Sequence, residues 1–342
     1  MINFLKDLIN FFKFKQKETD YKIGFFSETN FILQYLKPYI KIRQKKDKII
    51  IISFQDIKEE FIDQKDVFVF KTNFFRELVF LTLNLKFLYS STPDINKSIF
   101  KRSKLHKCKY IYLQHSPVSL TMIYNKKAFN EFDAVQVISK FQYAEMLEIK
   151  EKYDLKTKIF KSKYLFVKEQ FYLKKKSKRT ELLIAPSWNS SFYKLNCHKI
   201  LSKILSNKLI DYKIRPHPMS YIKNEITKKE LLDLNMKIDE SSFINFFEYD
   251  FFISDWSGLF LEYALLFNRK SFLINTPKKI VNENYKQFKS SPVEILLRNK
   301  LCKTYEIDQI ENLINDIEKS KKENQQTKQD INVKEILEKN FY

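Results

Sequence analysis

The chain has 342 residues, enough for about two domains with a substantial buried core. Apolar residues make up 44% and charged residues 30%, a composition that excludes a disordered or a membrane-embedded chain. Lysine and arginine total 62 against 41 aspartate and glutamate, and the net charge of +21 favours an anionic partner, with a solvated lysine coat as the alternative explanation.

The first predicted element is an amphipathic helix over residues 1–18. Apolar residues recur there at helical spacing, with lysines between them. Lys6 and Asp7 interrupt what would be the apolar core of a signal peptide, so export is not predicted. Two interpretations stay open: the helix lies in an anionic membrane surface, or it packs against the protein's own body.

Short strand-like runs then alternate with segments of helical spacing, which is the pattern of βα units around a parallel sheet. In the first half, strands are predicted at 21–25, 48–53, 67–70, 87–90, 110–114 and 134–138, with helices at 30–39 and 75–85. After a basic stretch at 174–180 the pattern restarts, with strands at 181–185, 212–215, 251–254 and 271–275 and helices at 195–205 and 259–267.

The fold class predicted from this pattern is α/β, with two doubly wound Rossmann-like domains facing across a cleft. The N-terminal domain is predicted over 19–175 and the C-terminal domain over 176–318. A helix at 307–317 would end the second domain. Residues 319–342 would form a polar link and a terminal helix.

Glycine and cysteine exclude several kinds of site. Gly24 and Gly258 are the only glycines, so the chain has neither a Gly-x-Gly-x-x-Gly dinucleotide turn nor a P-loop. The three cysteines are far apart and suggest neither a disulfide framework nor a zinc knuckle, which fits a reducing cytoplasm. No metal-ligand spacing of histidine is present, and no metal or cofactor is predicted.

Four predicted strands end in unusual residues, at the position where ligands bind in open α/β sheets. These exits are Gln114-His115-Ser116-Pro117, Ala185-Pro186-Ser187-Trp188, Arg215-Pro216-His217-Pro218 and Ser254-Asp255-Trp256-Ser257-Gly258. His115 and His217 fall at exits in different domains. A facing pair of imidazoles suits transfer chemistry on a nucleoside diphosphate, and a structural role is the alternative for each. His106 and His198 are predicted at the surface.

The segment 251–267 combines an apolar strand, a polar turn and an apolar helix. A helix start presents unpaired N–H groups that bind a phosphate without a glycine-rich loop. Ser254 and Ser257 would add hydroxyl donors, Gly258 would allow a ligand close to the backbone, and Glu262 would accept from ribose hydroxyls. Simple N-capping by Asp255 or Ser257 is the alternative.

Two of the other strand exits named above supply candidates for binding the donor. Arg215 is a fixed cation beside His217 on a loop stiffened by prolines, although those prolines are also typical of a simple strand end. Trp188 is a candidate for stacking on a base, and packing against its neighbours is the alternative.

Taken in order, these segments resemble the CDP-glycerol glycerophosphotransferase family of teichoic-acid and capsule synthesis. The resemblance covers about residues 110–290. Besides the four exits, it includes Val118-Ser119, Met122-Ile123-Tyr124, Ala128-Phe129, Phe132-Asp133, Glu262-Tyr263-Ala264, Asn275-Thr276-Pro277-Lys278-Lys279, Asn282, Asn284 and Tyr285.

The resemblance implies a GT-B architecture and a phosphotransferase that moves glycerol phosphate, or a related alditol phosphate, from a CDP-activated donor to a hydroxyl of a glycan or lipid-linked acceptor. His115 then resembles the base, with His217 and Arg215 on the donor diphosphate. The donor side would include Pro186, Ser187, Trp188, Ser254, Asp255, Ser257 and Gly258. Glu262 stands where many members have aspartate. Ser116 and Ser119 would face the acceptor, and many members have His-Gly where this chain has His115-Ser116.

Two other functions remain as alternatives. One is a GT-B glycosyltransferase that uses a sugar nucleotide in surface polysaccharide synthesis. The other is a basic module that binds nucleic acid or anionic membrane, but aromatics such as Phe251 and Phe252 lie in core-like runs rather than among lysines. We therefore predict no nucleic-acid partner. The predicted location is cytoplasmic, with contact to the inner face of the bacterial cell membrane dependent on the N-terminal helix.

Overall fold

A computed structural model of the chain describes residues 2–57, 59, 62–97, 99–173, 180–188, 191–241, 243–323 and 328–342. Within these residues the strands form two sheets, and every strand pair in both sheets is parallel. The predicted boundary between residues 175 and 176 lies in the segment 174–179, outside the described residues.

The first sheet has the strand order β3-β2-β1-β4-β5-β6-β7. Its strands are β1 (Ile23–Ser27), β2 (Ile49–Ser53), β3 (Val67–Val69), β4 (Phe87–Ser90), β5 (Lys109–Tyr112), β6 (Ala134–Val137) and β7 (Lys158–Lys161). All five residues of β2 are buried because helices cover both faces of a doubly wound sheet. The strand order reverses between β1 and β4, which places a ligand crevice at the ends of these strands.

The second sheet has the order β12-β11-β10-β8-β9. Its strands are β8 (Thr180–Ile184), β9 (Tyr212–Ile214), β10 (Tyr249–Ser254), β11 (Ser271–Ile274) and β12 (Cys302–Tyr305). The reversal here falls between β8 and β10. The two sheets confirm the predicted α/β class.

Helices pack on both sheets and between them. They are α1 (Ile2–Glu18), α2 (Asn30–Arg43), α3 (Asn73–Leu81), α4 (Lys140–Lys152), α5 (Leu165–Leu173), α6 (Cys197–Leu205), α7 (Pro218–Ile222), α8 (Lys228–Asp233), α9 (Leu259–Phe267), α10 (Val293–Leu301), α11 (Ile310–Lys322) and α12 (Ile331–Asn340). None of the described helices has the length and apolar character needed to cross a bilayer.

One buried apolar cluster joins the two halves of the molecule. It contains Tyr35 and Ile138 from the first half together with Phe260 and Leu337 from α9 and α12. The last residues of the chain return to the first sheet, where the Tyr342 N–H donates to the Ile138 carbonyl over 3.0 Å. The two halves therefore share a buried core.

The N-terminal helix buries one face and exposes another. Phe14 is fully buried, and the Asp7 carboxylate accepts hydrogen bonds from the backbone N–H groups of Lys71 and Thr72 at the start of α3. Helix α1 therefore packs against the body of the protein. Other apolar side chains of α1 remain exposed: Ile2, Phe4, Leu5, Ile9 and Phe12.

Some predicted elements were wrong or missing. Helix α11 continues to Lys322, so the polar link does not begin at residue 319. Strand β7 was missed because its Lys-Ile-Phe-Lys sequence has no buried residue and no apolar run. His198 is buried in α6 rather than exposed, because its ring packs on Tyr193.

Candidate functional site

A cleft of about 680 Å³ lies between the two sheets, at the carboxyl ends of strands from both. This volume is in the range of small-molecule sites. Loops that follow β1, β4 and β5 line it from the first half, and loops that follow β8, β9, β10 and β11 line it from the second. Ten of the predicted site residues line this cleft: His115, Ser116, Pro186, Ser187, Trp188, Arg215, His217, Ser257, Gly258 and Glu262.

His115 follows β5 and its ring is oriented by two neighbours. Its Nδ1 lies 3.0 Å from the hydroxyl of Tyr112, and the backbone of Ser91 also forms a hydrogen bond with the ring. Burial lowers the pKa of His115 to about 4, and the nearby ammonium of Lys279 acts in the same direction. The imidazole is therefore neutral at pH 7 and able to accept a proton.

His217 follows β9 and caps the short helix α7. Its Nδ1 accepts the backbone N–H of Met219 over 3.1 Å, which places the proton of the neutral ring on Nε2. Burial lowers the pKa of His217 well below its ordinary value, and the nearby Lys279, His115 and Arg215 act in the same direction. The ring thus offers one N–H donor to the cleft side of the second half.

Arg215 lines the cleft, but its charge is already paired. Its Nη1 contacts the Asp239 carboxylate at 2.9 Å, the Ser241 carbonyl at 3.0 Å and the Ser241 hydroxyl at 2.8 Å. Both members of the ion pair are largely buried. The guanidinium is therefore held in place, and its net attraction for a further anion is reduced.

The start of α9 forms one wall of the cleft. The Ser257 hydroxyl accepts the N–H of Leu259, the first helical residue, over 3.3 Å, and the N-cap position itself is occupied by Gly258. The lack of a side chain at Gly258 was expected to let a ligand approach the backbone, but the structure gives another reason for it. A Cβ there would lie 2.3 Å from the Ser116 Oγ, so the residue that needs the space is Ser116 of the other half.

Ser254 and Asp255 lie behind the cleft wall, fully buried, and not among its lining residues. The Ser254 hydroxyl donates to the Ala185 carbonyl over 2.7 Å, which joins the ends of β10 and β8. The Asp255 carboxylate accepts from the Ser187 N–H at 2.8 Å and from its hydroxyl at 3.2 Å. These two residues position the Ser187 loop, and their expected direct contact with a phosphate is not supported.

Ser119 is also buried away from the cleft, contrary to its expected place on the acceptor side. Its hydroxyl donates to Glu145 of α4 over 2.6 Å, and its N–H donates to Glu294 of α10 over 3.1 Å. Burial raises the pKa of both carboxyl groups, and the charge of Glu294 raises the pKa of Glu145 further. Ser119 therefore fixes the loop that carries His115 against helices from both halves.

Glu262 lies one turn into α9 and connects to His115 through Tyr164. The Tyr164 hydroxyl is 2.7 Å from Glu262 Oε1 and 3.1 Å from the His115 carbonyl oxygen. Burial raises the pKa of Glu262 to about 8, so it is largely protonated at pH 7. Its buried Oε2 has no hydrogen-bond partner among the described residues, which suits a contact with a bound hydroxyl.

Trp188 is contacted by cations as well as by His217. The ammonium groups of Lys223 and Lys279 lie 4.4 and 4.5 Å from its ring centroid. Lys279 was not predicted as a site residue, although the segment containing it belongs to the resemblance described above. Its position at the exit of β11 was the available signal.

The fold and the cleft define a GT-B-like protein. Two α/β domains built on parallel sheets face each other, and the ligand cleft lies where the strand ends of both meet.

Comparison with protein-family models and with curated proteins gave no match. Among solved structures, UDP-GlcNAc 2-epimerase from Methanocaldococcus jannaschii is 11% identical over 86% of this chain and 91% of that one, with a TM-score of 0.50. A variant of the wall teichoic acid polymerase TagF is 13% identical over 94% and 93%, with a TM-score of 0.44. Anabaena Alr3699/HepE in complex with UDP and glucose is 13% identical over 90% and 91%, also at 0.44. At such identities the likeness concerns the fold.

Proposed function

We propose that this protein is a transferase that takes a group from a nucleoside-diphosphate-activated donor and passes it to a hydroxyl of a cell-envelope glycan or lipid-linked acceptor. The observation that carries this proposal is the cleft itself. His115 from the first half and His217 from the second line it together with the start of α9. A proton acceptor, an N–H donor and a helix N-terminus are the groups that such a transfer requires.

In this proposal the acceptor hydroxyl gives its proton to His115. Burial favours the neutral ring, and the negative charge of a bound diphosphate would raise the pKa of the imidazole toward the working pH. His217 donates its N–H to a phosphate oxygen, and the N-terminal end of α9 stabilises the charge that develops on the leaving group. A positioned base contributes roughly 10² to 10⁴ in rate.

The first candidate donor is CDP-glycerol or a related CDP-alditol. The acceptor oxygen would attack the distal phosphorus, the bond between that phosphorus and the bridging oxygen would break, and CMP would leave. The ordered motifs between about 110 and 290 support this donor.

The second candidate donor is a sugar nucleotide. The acceptor oxygen would then attack the sugar carbon, the bond from that carbon to the phosphate oxygen would break, and the nucleoside diphosphate would leave. The fold likeness to UDP-GlcNAc 2-epimerase, whose name specifies a nucleotide sugar, supports this donor.

A panel of CDP-alditols and sugar nucleotides labelled at the distal phosphorus separates the candidates. Label in the glycan product identifies alditol-phosphate transfer. Label in the released nucleotide, with an extended product, identifies glycosyl transfer. Absence of any donor consumption across the panel, with the protein folded and acceptor present, would contradict the transferase proposal.

His115→Ala tests the base. We expect it to lower turnover by about 10² or more while changing donor affinity far less, because the imidazole acts on the acceptor's proton. His106→Ala is the matched control, since His106 is exposed and does not line the cleft. Near-normal turnover of a folded His115→Ala protein would show that another group takes the proton.

We also propose that α1 rests on the inner face of the cell membrane, where a lipid-linked acceptor would be presented. Its buried face is already used by the protein, so only the opposite face is available. That face carries exposed apolar side chains at spacings of three and four residues, with Lys6 and Lys13 exposed among them: Ile2, Leu5, Ile9 and Phe12. Apolar insertion and attraction to anionic headgroups would act together.

A further inference from the structure

Lys279 is a buried lysine that lines the cleft, and none of the sequence motifs assigned a role to it. It lies in the loop that follows β11, its residue is 7% exposed, and it lines the cleft with His115 and His217. Its neighbour Lys278 is exposed and does not line the cleft. Lysine is rarely buried to this degree unless its charge is paired.

Within the described part of the chain, the Lys279 ammonium forms neither a hydrogen bond nor an ion pair. The groups that affect its charge are Asp255, Glu294 and Glu225, which favour the protonated form, and Lys223, which opposes it. Burial outweighs them and lowers the pKa of Lys279 to about 8. The ammonium is thus still largely charged at pH 7, although no carboxylate of the described residues is in direct contact with it.

The loop that carries Lys279 is held at both ends. The Trp256 indole N–H donates to the Thr276 carbonyl over 2.7 Å. On the other side, the N–H groups of Val281 and Asn282 donate to the Met122 carbonyl at 3.0 and 3.1 Å. Met122 belongs to the loop that follows His115, so the ammonium and the imidazole are fixed relative to each other across the two halves.

Arg215, another cation of the second half that lines the cleft, is compensated differently. Arg215 has the Asp239 carboxylate at 2.9 Å, whereas Lys279 has the face of Trp188 at 4.5 Å. An aromatic ring stabilises a cation only weakly and leaves it free to bind an anion. Lys223, exposed at the end of α7, contacts the same ring and extends the positive region outward.

We propose that Lys279 is the residue that binds the diphosphate of the donor, with Trp188 holding its ammonium toward the phosphates. The proposal rests on the function proposed above and adds the specific anion ligand. It accounts for a charge that the fold buries without a partner, because the ligand supplies that partner.

Titration calorimetry with CDP, UDP and cytidine tests the assignment on Lys279→Met, Lys279→Arg and Lys278→Met. A charge-assisted contact to phosphate contributes enough that Lys279→Met should weaken diphosphate binding about 10-fold or more. Cytidine affinity should change less than about twofold, because it has no phosphate. Lys278→Met should bind like the wild-type protein, and Lys279→Arg should keep part of the affinity because the charge remains.

Stability supplies a second readout. Without ligand, Lys279→Met should melt no lower than the wild-type protein, because a buried unpaired charge is replaced by an apolar chain of similar length. Saturating diphosphate should raise the melting temperature of the wild-type protein more than that of Lys279→Met. A folded Lys279→Met protein that binds CDP or UDP as tightly as the wild type would overturn the assignment.

The outcomes also separate this assignment from the proposed function. Binding of UDP in preference to CDP, lost in Lys279→Met, would reject the CDP donor and uphold Lys279. Wild-type-like CDP binding by Lys279→Met would uphold that donor and reject Lys279. If the wild-type protein bound neither nucleotide, both proposals would fall.

Discussion

Gly258 lies where the two halves of the cleft come closest, and substituting it with alanine tests that contact. Its φ of −60° suits any residue, so backbone conformation does not require glycine. An added Cβ would lie 2.3 Å from Ser116 Oγ and 2.5 Å from Val118 Cγ1. Both distances fall about 1 Å short of a normal contact. Gly258→Ala must therefore displace the Ser116 and Val118 side chains, and we expect the His115 loop that carries them to move away from the start of α9.

Two effects should follow from that displacement. Overpacking of this kind costs about 1–3 kcal/mol of unfolding free energy, which urea denaturation measures. A shift of about 1 Å between the imidazole and the anion site should also lower turnover by about 10², measured with whichever donor the labelled panel identifies.

A combined variant and a control make this prediction sharper. Ser116→Ala with Val118→Ala should restore stability to Gly258→Ala, since the Ser116 Cβ lies at an ordinary 3.7 Å from the added carbon. Gly24→Ala is the control: its Cβ would meet Leu85 at 2.5 Å inside the first half, so it should destabilise without the same loss of turnover per folded molecule. A Gly258→Ala protein with wild-type stability and turnover would refute the reasoning.

Two other substitutions test the buried acid and the exposed helix face. Burial raises the pKa of Glu262 from 4.5 to about 8, so the folded protein retains a proton that the unfolded chain has released, and stability falls as pH rises through that window. Between pH 6 and 8, the unfolding free energy of Glu262→Gln should therefore rise relative to that of the wild-type protein by about 1 kcal/mol per pH unit, as measured by urea denaturation. A difference in unfolding free energy that does not depend on pH would contradict the raised pKa. For the membrane contact, Ile9→Glu with Phe12→Glu should abolish co-sedimentation with phosphatidylglycerol vesicles, whereas Leu209→Glu, at a residue 97% exposed elsewhere, should not. Equal sedimentation of the two proteins would argue against α1 as the contact.

Local sequence patterns were sufficient for the architecture because each depends on near neighbours. Apolar runs such as 49–53 become strands buried on both faces, and polar residues directly after them must lie at the carboxyl edge of a parallel sheet. That rule predicts His115 and His217 at one cleft, and both line it.

The same rule could not distinguish residues that line the cleft from those behind it. Ser254, Asp255 and Ser119 have the residue types of ligand-binding positions, yet their polar groups are used by the fold. The direction of a side chain at a strand exit depends on which backbone and carboxyl groups from other loops reach it, and sequence spacing does not carry that information.

The sequence by itself determined two parallel-sheet halves and the strand exits that carry the histidines, because periodicity and turn residues act over a few positions. Only the tertiary structure decided that Gly258 leaves room for Ser116 and that Arg215 is paired with Asp239. It also decided that Lys279 is buried at the cleft, whereas the adjacent Lys278 is exposed. Each of these depends on contacts between segments far apart in the chain. Burial and charge pairing are properties of the packed molecule, and a lysine in a basic sequence gives no local sign of them.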